Sequence, residues 1–396
     1  MLTKREYPLY GRKDDTRNDF VRDYNRILHC LAYRRLKHKT QVFFAPDNDH
    51  ICTRIEHVNH VTAISNTISK ALGLNTDLTN AIAIGHDIGH TPFGHDGEKI
   101  LREISEKETR QSFWHEKNSL WFADNIEVIR DENDQYQNLN LTYAVRDGLI
   151  CHCGEYDEKE IAPRTDIINL NSIKKPGEIQ PITWEACVVK IADKIAYLGR
   201  DIEDALSLKI ISRDDFLDKL RNVFPNFKRN KVFHTSGIIN NTILIHSFVT
   251  NLIRHSTPQH GISLSEWHYN LMLNLKKVSQ TLIYKSPRLD YSKARIKLIL
   301  ESIFDILSGI YKKDLTLESI DESLENYTLL RDNFHRWIYK YTDLGLEEKA
   351  EKNYINRKIY NIRDKKQYKK SVIEYIAAMT DNYAIRLFSE LTRFGY

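Results

Sequence analysis

Ile84–Leu101 reads I-G-H-D-I-G-H-T-P-F-G-H-D-G-E-K-I-L, and the rest of the chain is interpreted from it. Three histidines, two aspartates and a glutamate fall within the thirteen positions from His86 to Glu98, punctuated by Gly89, Pro92, Gly94 and Gly97. The preceding Ala81-Ile82-Ala83-Ile84 predicts a buried helix running into this cluster. On a continuous helix His86 and His90, four apart, share a face. Asp87 then lies about 100° round from His86, within reach of the same ion. Thr91 precedes a proline and is pushed out of the α region, which predicts a helix end near His90. A new helix is expected after Gly94, with His95 and Glu98 three apart on one face. One such histidine would be ordinary. Gathering this many titratable groups beside an apolar run demands that each be hydrated, paired or metal-bound, and so points to a site.

Two other stretches supply side chains of matching chemistry. Upstream, a helix is expected from Thr53 to Leu72 with Gly73 as its C-terminal cap, placing Arg54, His57 and Val61 along one side. Downstream, Trp184–Leu208 has strongly helical apolar spacing, yet Asp193, Tyr197 and Asp201 form a polar stripe at steps of four, flanked by Lys194 and Arg200. Asp193 lies between Ile191-Ala192 and Ile195-Ala196, too apolar a setting for a solvent-facing carboxylate. A buried aspartate needs a partner, and a metal ion is a natural one.

The chain of 396 residues is 41% hydrophobic and 28% charged, the balance of a soluble globular protein with a sizeable core. With 15 glycines and 9 prolines and abundant Leu, Ile, Lys and Glu, it favours helix over sheet. A net charge of +4 does not by itself imply nucleic-acid binding, but would help draw in a polyanion if concentrated at a cleft. No apolar signal-like run opens the sequence and no apolar stretch of about 18 residues occurs, so secretion and membrane spanning are not expected. The five cysteines are odd in number and scattered, as reduced cytoplasmic thiols are. Cys151-His152-Cys153 lacks a second ligand pair at zinc-finger spacing.

Elsewhere, residues 1–20 are polar and expected to be loosely held. Phe20–Leu36 reads as one helix, followed by a short extended or turn segment and a basic cluster at Arg34, Arg35, Lys37 and Lys39. A break is expected at Asp47–His50. Phe113–Ile129 and Leu141–Ile150 read as helices separated by a polar loop, Asp131–Asn140, and residues 155–180 as a surface excursion. Helical patterns then continue from Ile210, with breaks near 227–231, 255–262, 286–290 and 342–350 and a last helix over Ser371–Leu391. The expected class is all-α. Its expected parts are an N-terminal helical segment (1–49) contributing to a substrate pocket, a metal-dependent core (50–205) and a helical C-terminal region (206–396) packed on it.

These residues resemble the HD-domain phosphohydrolases, and within them the deoxyguanosine triphosphate triphosphohydrolase (dGTPase) family and its relative, the vertebrate SAM-and-HD-domain dNTPase. His86–Glu98 matches H-D-x-G-H-x-P-F-G-H-x-G-E at every specified position. Arg54-x-x-His57 is similar to the family's R-x-x-H, Arg34–Phe43 to R-R-L-x-x-K-T-Q-V-F, and Asp193-Lys194-x-x-Tyr197-x-x-x-Asp201 to the helix bearing the last ligand. Tyr375–Asp381 resembles Y-I-A-G-M-T-D, with Ala378 at the usual glycine. His60 stands where many members have Glu, and Arg200 where many bacterial members have His or Asn.

The resemblance spans residues 20 to 385 and implies a metal set of His57, His86, Asp87 and Asp193. It implies attack at the α-phosphorus of a dNTP, releasing deoxynucleoside and intact triphosphate. His95 with Glu98 is expected as the acid/base pair, with His90 and His115 as further proton donors or phosphate contacts. Arg54 and Lys194 are expected on the phosphates, Tyr197 and Asp201 on the sugar, and Gln41 near the sugar or base. Mn²⁺ or Mg²⁺ is the expected ion, with Fe²⁺, Ni²⁺ and Zn²⁺ also compatible with the donor set. A homo-oligomer, often a hexamer, and a nucleotide or single-stranded nucleic-acid effector are further implications; Lys358–Lys370 is the candidate basic segment for the latter. The alternatives are an HD phosphohydrolase acting on another nucleotide and a nucleic-acid-responsive regulatory protein.

Overall fold

The computed structural model describes residues 1–9, 14–44, 48–131, 135–153, 158–225, 240–344, 346–351 and 359–392. Helices dominate, and the strands among these residues form only two two-stranded ladders, as the all-α expectation requires. No described helix is long and apolar enough to cross a membrane. The chain divides by packing into two compact units, each drawn from separated segments. One comprises 1–41, 87–143 and 294–396; the other comprises 42–86 and 144–293.

In the unit formed by 42–86 and 144–293, Arg54–Ala71, Thr76–Gly85 and Trp184–Ser207 pack on one another. Their starts are capped locally. Glu56 Oε2 accepts from the Thr53 backbone N–H at 2.7 Å, Asn75 caps Asp77 and Leu78, and Thr183 caps Ala186. Gly73, at φ +70°, ends the first helix as expected. The shared core is Val58, Val61, Ile68, Ala81, Ile82, Val188, Ala192 and Ile195, all almost fully buried. Burial of this kind contributes roughly 1.5–3 kcal/mol per large apolar side chain.

The helix that enters the histidine cluster stops at Gly85, five residues earlier than expected, and His86–Gly89 form a turn. His86 is the reason: as C-cap residue it donates Nδ1–H to the Ala83 carbonyl at 2.7 Å, satisfying a helix-end acceptor. His86 and His90 therefore do not share a helix face.

In the other unit, the expected helix after Gly94 runs over Gly94–Thr109 and packs against Lys365–Ala377. The single helix expected over Phe20–Leu36 is two, Asp19–His29 and Leu31–Arg35, plus a 3₁₀ turn over Leu36–His38. Cys30 is extended there (ψ 156°), and its sulfur accepts from the Tyr33 N–H. Residues 1–9 are not loose, because Arg5 is buried and bonded to Asp23 and to the Asn140 carbonyl. The helix expected to reach Ile129 is His115–Trp121, followed by a π turn over Phe122–Ile126. Beyond it Val128–Arg130 pairs with Tyr136–Asn138 in a hairpin whose strands are too short to leave an alternating pattern. The last expected helix is broken at 378–380 into Lys365–Ala377 and Asp381–Thr392, with Thr380 Oγ1 accepting from Tyr383 N–H. The break expected at 227–231 and Lys358 lie outside the described residues.

Gly89 lies against the backbone of the His115–Trp121 helix. Its N–H donates to Ser119 Oγ at 2.9 Å, and its carbonyl accepts from Asn118 Nδ2 at 2.7 Å. A Cβ at this position would stand 2.0 Å from Ser119 N and 2.4 Å from Asn118 C. Backbone cannot yield as a side chain does, so Gly89→Ala should destabilise the protein by about 3 kcal/mol or more. Urea unfolding followed by circular dichroism measures this; an unchanged midpoint would show that the turn and helix separate freely.

Candidate active site

The sequence-predicted residues fall into two groups, one in each unit. His86 and Asp87, consecutive in the chain, are the last and first residues of segments of different units. In the first, His57 Nε2 meets Asp193 Oδ1 at 2.8 Å, and His86 Nε2 lies 4.0 Å from the same oxygen. The His57 and His86 rings are edge to face with centroids 5.6 Å apart. With Nδ1 of His86 donating to Ala83, Nε2 is the ring atom that carries the lone pair, the tautomer a metal ligand needs. Two buried imidazole nitrogens and a half-buried carboxylate oxygen, brought together by three packed helices, suit a borderline divalent ion.

Around them lie the other expected side chains of this unit. Arg54 and Lys194 are buried, and Tyr197 is half-buried. Asp201 is buried and accepts from the Tyr284 hydroxyl at 2.5 Å. Burial pushes its pKa up to about 7, against the pull of that hydrogen bond. Two neighbours were not assigned to this site from the sequence, although His152 was weighed within Cys151-His152-Cys153. Tyr284 sits in an unremarkable helical stretch. His152 sets its ring edge to face with His86 at 5.1 Å, its Nδ1 donating to the Leu149 carbonyl at 2.8 Å. Among the described residues no metal-competent group includes Cys151 or Cys153, and all five cysteines are buried free thiols.

In the second group Glu98 is the hub. Its Oε2 accepts from His115 Nδ1 at 2.9 Å, and its Oε1 from Arg102 at 2.8 Å. His95, the partner expected from the i,i+3 spacing, is 4.0 Å away and 57% exposed, so the tight pair is Glu98 with His115. Burial opposes charge on both members. For His115 the carboxylates of Glu116, Glu98 and Asp87 outweigh it and raise the pKa. For Glu98 the charges of His115, His95 and Arg102 outweigh it and lower the pKa. The two thus form an ion pair. His115 Nε2 also lies 3.7 Å from Asp87 Oδ1. His90 stacks on His115 at 4.5 Å, and its ring is 5.3 Å from that of His95. His90, Glu98 and His115 each offer a ligand atom within 4.8 Å of the others.

Gln41 is buried in this unit, next to Thr40, whose N–H donates to Asp381 at 2.8 Å. Glu116, 3.5 Å from His115 Nδ1, was the residue adjacent to a named histidine and went unread.

The HD domain family profile matches residues 54–198. Curated relatives include deoxyguanosinetriphosphate triphosphohydrolase-like proteins of three bacteria. That of Caldanaerobacter subterraneus subsp. tengcongensis is 30% identical over 96% of this chain and 86% of the relative. That of Desulfatibacillum aliphaticivorans is 35% identical over 73% of each. The third, from Pelagibacter ubique, is 31% identical over 94% of this chain and 92% of the relative.

The raised pKa of Asp201 has a measurable consequence. A carboxyl that titrates near 7 when folded, but near its ordinary 3.8 when unfolded, favours the fold below about pH 4 and withdraws that stability as pH rises toward 7. Asp201→Asn should therefore gain stability relative to the parent at about pH 8 but not at about pH 4. Urea midpoints at the two pH values, taken in chelator, test this; an equal offset at both would mean that Asp201 titrates normally.

Proposed function

The chain belongs to the deoxyguanosinetriphosphate triphosphohydrolase-like family of HD-domain proteins, and from that premise we propose that it hydrolyses deoxynucleoside triphosphates to deoxynucleoside and inorganic triphosphate. One observation carries the reading: the motif His86–Glu98 begins beside His57 and Asp193 and ends in a buried His/Glu ion pair. Ion ligands and proton-transfer groups are what phosphoester hydrolysis requires.

His57, His86, Asp87 and Asp193 are assigned as ligands of one divalent ion, Mn²⁺ or Mg²⁺ first. When bound, such an ion supplies Lewis acidity toward a phosphoryl oxygen and lowers the pKa of coordinated water from about 15.7 toward about 7. The side chains do the rest. Arg54 and Lys194 offset the charge of the triphosphate. Water adds to the α-phosphorus, the bond from phosphorus to the 5′-oxygen breaks, and His95 gives that oxygen its proton. Its exposed ring suits a group that must meet substrate, whereas His115, held charged by Glu98, suits a fixed phosphate contact. His90 stacks behind it. The ring of Tyr197 is assigned to C2′, where a 2′-hydroxyl would clash. Asp201 gives one oxygen to Tyr284 and is assigned to accept from the 3′-hydroxyl with the other. Gln41 is assigned to the sugar or base. A homo-oligomeric assembly and activation by a nucleotide or single-stranded nucleic acid complete the proposal.

Each dNTP, singly and in mixtures, incubated with Mg²⁺ or Mn²⁺ should yield deoxynucleoside and inorganic triphosphate on ion-exchange chromatography, and chelator should abolish the release. Orthophosphate or pyrophosphate as the inorganic product would assign the site to a different nucleotide hydrolysis. Tyr197→Ala should lower the preference for dNTP over the matching ribonucleotide by about tenfold, a loss worth about 1.4 kcal/mol. An unchanged ratio in competition assays would remove Tyr197 from sugar selection.

A further inference from the structure

The stretch His90–Phe93, which leads into the helix Gly94–Thr109, is gripped at both ends by side chains far away in the sequence. At one end, Lys39 Nζ donates to the His90 carbonyl and also to the Ala377 carbonyl. At the other, the Phe93 N–H donates to Asp381 Oδ1 at 2.8 Å. The second oxygen of that carboxylate accepts from the Thr40 N–H, also at 2.8 Å. Two short segments, 39–40 and 377–381, are thus tied to each other by two hydrogen bonds and to the loop by two more. Lys39 and Asp381 are both buried, 2% and 3% exposed, so neither group has water as an alternative partner.

What they hold is strained. Phe93 has φ +61° and ψ 27°, the left-handed region, with a large buried ring. For a residue with a Cβ this costs about 1–2 kcal/mol, and it persists only where the surroundings over-determine it. Phe93 is the N-cap of Gly94–Thr109, the helix that carries His95 and Glu98 on its first turns. Its dihedral angles therefore set the direction in which that helix leaves the loop. A rotation there would carry His95 away from His90 and Glu98 away from His115. The Phe93 ring is buried in the core, and the Asp381 carboxylate accepts from the N–H of the same strained residue.

We propose that Asp381 and Lys39 are positioning residues for the histidine cluster: they fix the His90–Phe93 loop in its strained form, and so set where His90 and His95 point and where Gln41, beside Thr40, stands. This rests on the function proposed above, since it takes His95 as the proton donor. It also assigns a purpose to the Tyr375–Asp381 motif. The break between the last two helices at 378–380 places the Asp381 carboxylate at a helix start, where it reaches two backbone N–H groups from different segments.

Asp381→Asn tests the inference, because an amide oxygen can accept from one of the two N–H groups but its NH₂ cannot accept from the other. Lys39→Met, which keeps length and removes both donors, is the companion variant. Each is assayed below its melting transition, with the folded fraction read by circular dichroism. The expected result is a kcat reduced at least tenfold with KM within about threefold, the signature of a misplaced reacting group rather than lost substrate binding. Histidine ring ¹H–¹⁵N correlations should shift for His90 and His95 and stay in place for His57. A kcat loss that only tracks the folded fraction, or unmoved His90 and His95 signals, overturns the proposal. If the parent protein releases no triphosphate, the function reading fails by itself, and the ring correlations still decide whether Asp381 and Lys39 position the histidines. Should Asp381→Asn not fold, Lys39→Met carries the same two readouts.

Discussion

The contact between His57 Nε2 and Asp193 Oδ1 states the constraint under which the molecule is built: an ionisable group taken out of water must meet a partner. Meeting it requires three helices to arrive together, because His57 is on Arg54–Ala71, His86 caps Thr76–Gly85, and Asp193 is in the middle of Trp184–Ser207. Their apolar faces bring them together, and small residues such as Ala81, Ala192 and Ala196 keep the backbones close. The fold thereby stabilises what the site would otherwise destabilise. A carboxylate and two imidazoles in a core are costly alone and suitable together, and more so around a divalent ion.

The same constraint governs the group around Glu98, with a different outcome. There the carboxylates of Glu98, Glu116 and Asp87 surround one imidazole, and the result is a fixed cation at His115. A histidine whose charged form is favoured by three carboxylates is a weaker acid than a free imidazole, and in the proposed reaction it would serve as a phosphate contact. His95 is more exposed and lies farther from Glu98, at 4.0 Å. In the proposed reaction, burial would divide these two histidines into a fixed charge and a proton carrier. This is the pattern by which neighbouring titratable groups take different roles.

How much of this was legible follows from the length scale of each feature. The helices bearing the His/Asp group span ten to twenty-four residues with continuous apolar periodicity and side-chain caps, and their limits were readable at Thr53, Gly73 and Thr183. The motif matches located His57, His86 and Asp193 by residue type and order. The end of the helix at Gly85 was not readable, because it depends on a side-chain hydrogen bond from His86 to Ala83 that competes with the next helical turn. Cys30 splits a helix by similar means, and the Val128–Asn138 hairpin is too short to show a period.

The nearer partner of Glu98, His115, was not readable for a further reason. Spacing of three places His95 on the same helix face, and local geometry is all that spacing encodes. His115 arrives from another helix, and its closeness depends on Gly89 admitting the backbone of Asn118 and Ser119, a fit no periodicity records. Asp381 is the extreme case. It lies 288 residues from the N–H it binds, and the motif that contains it gives no sign in the sequence of what its carboxylate meets. Local propensity determined which helices form, while the chemistry depends on side chains that reach from one helix end to another. A buried polar residue at a helix end, near a strained backbone, therefore tells more about function than one in mid-helix.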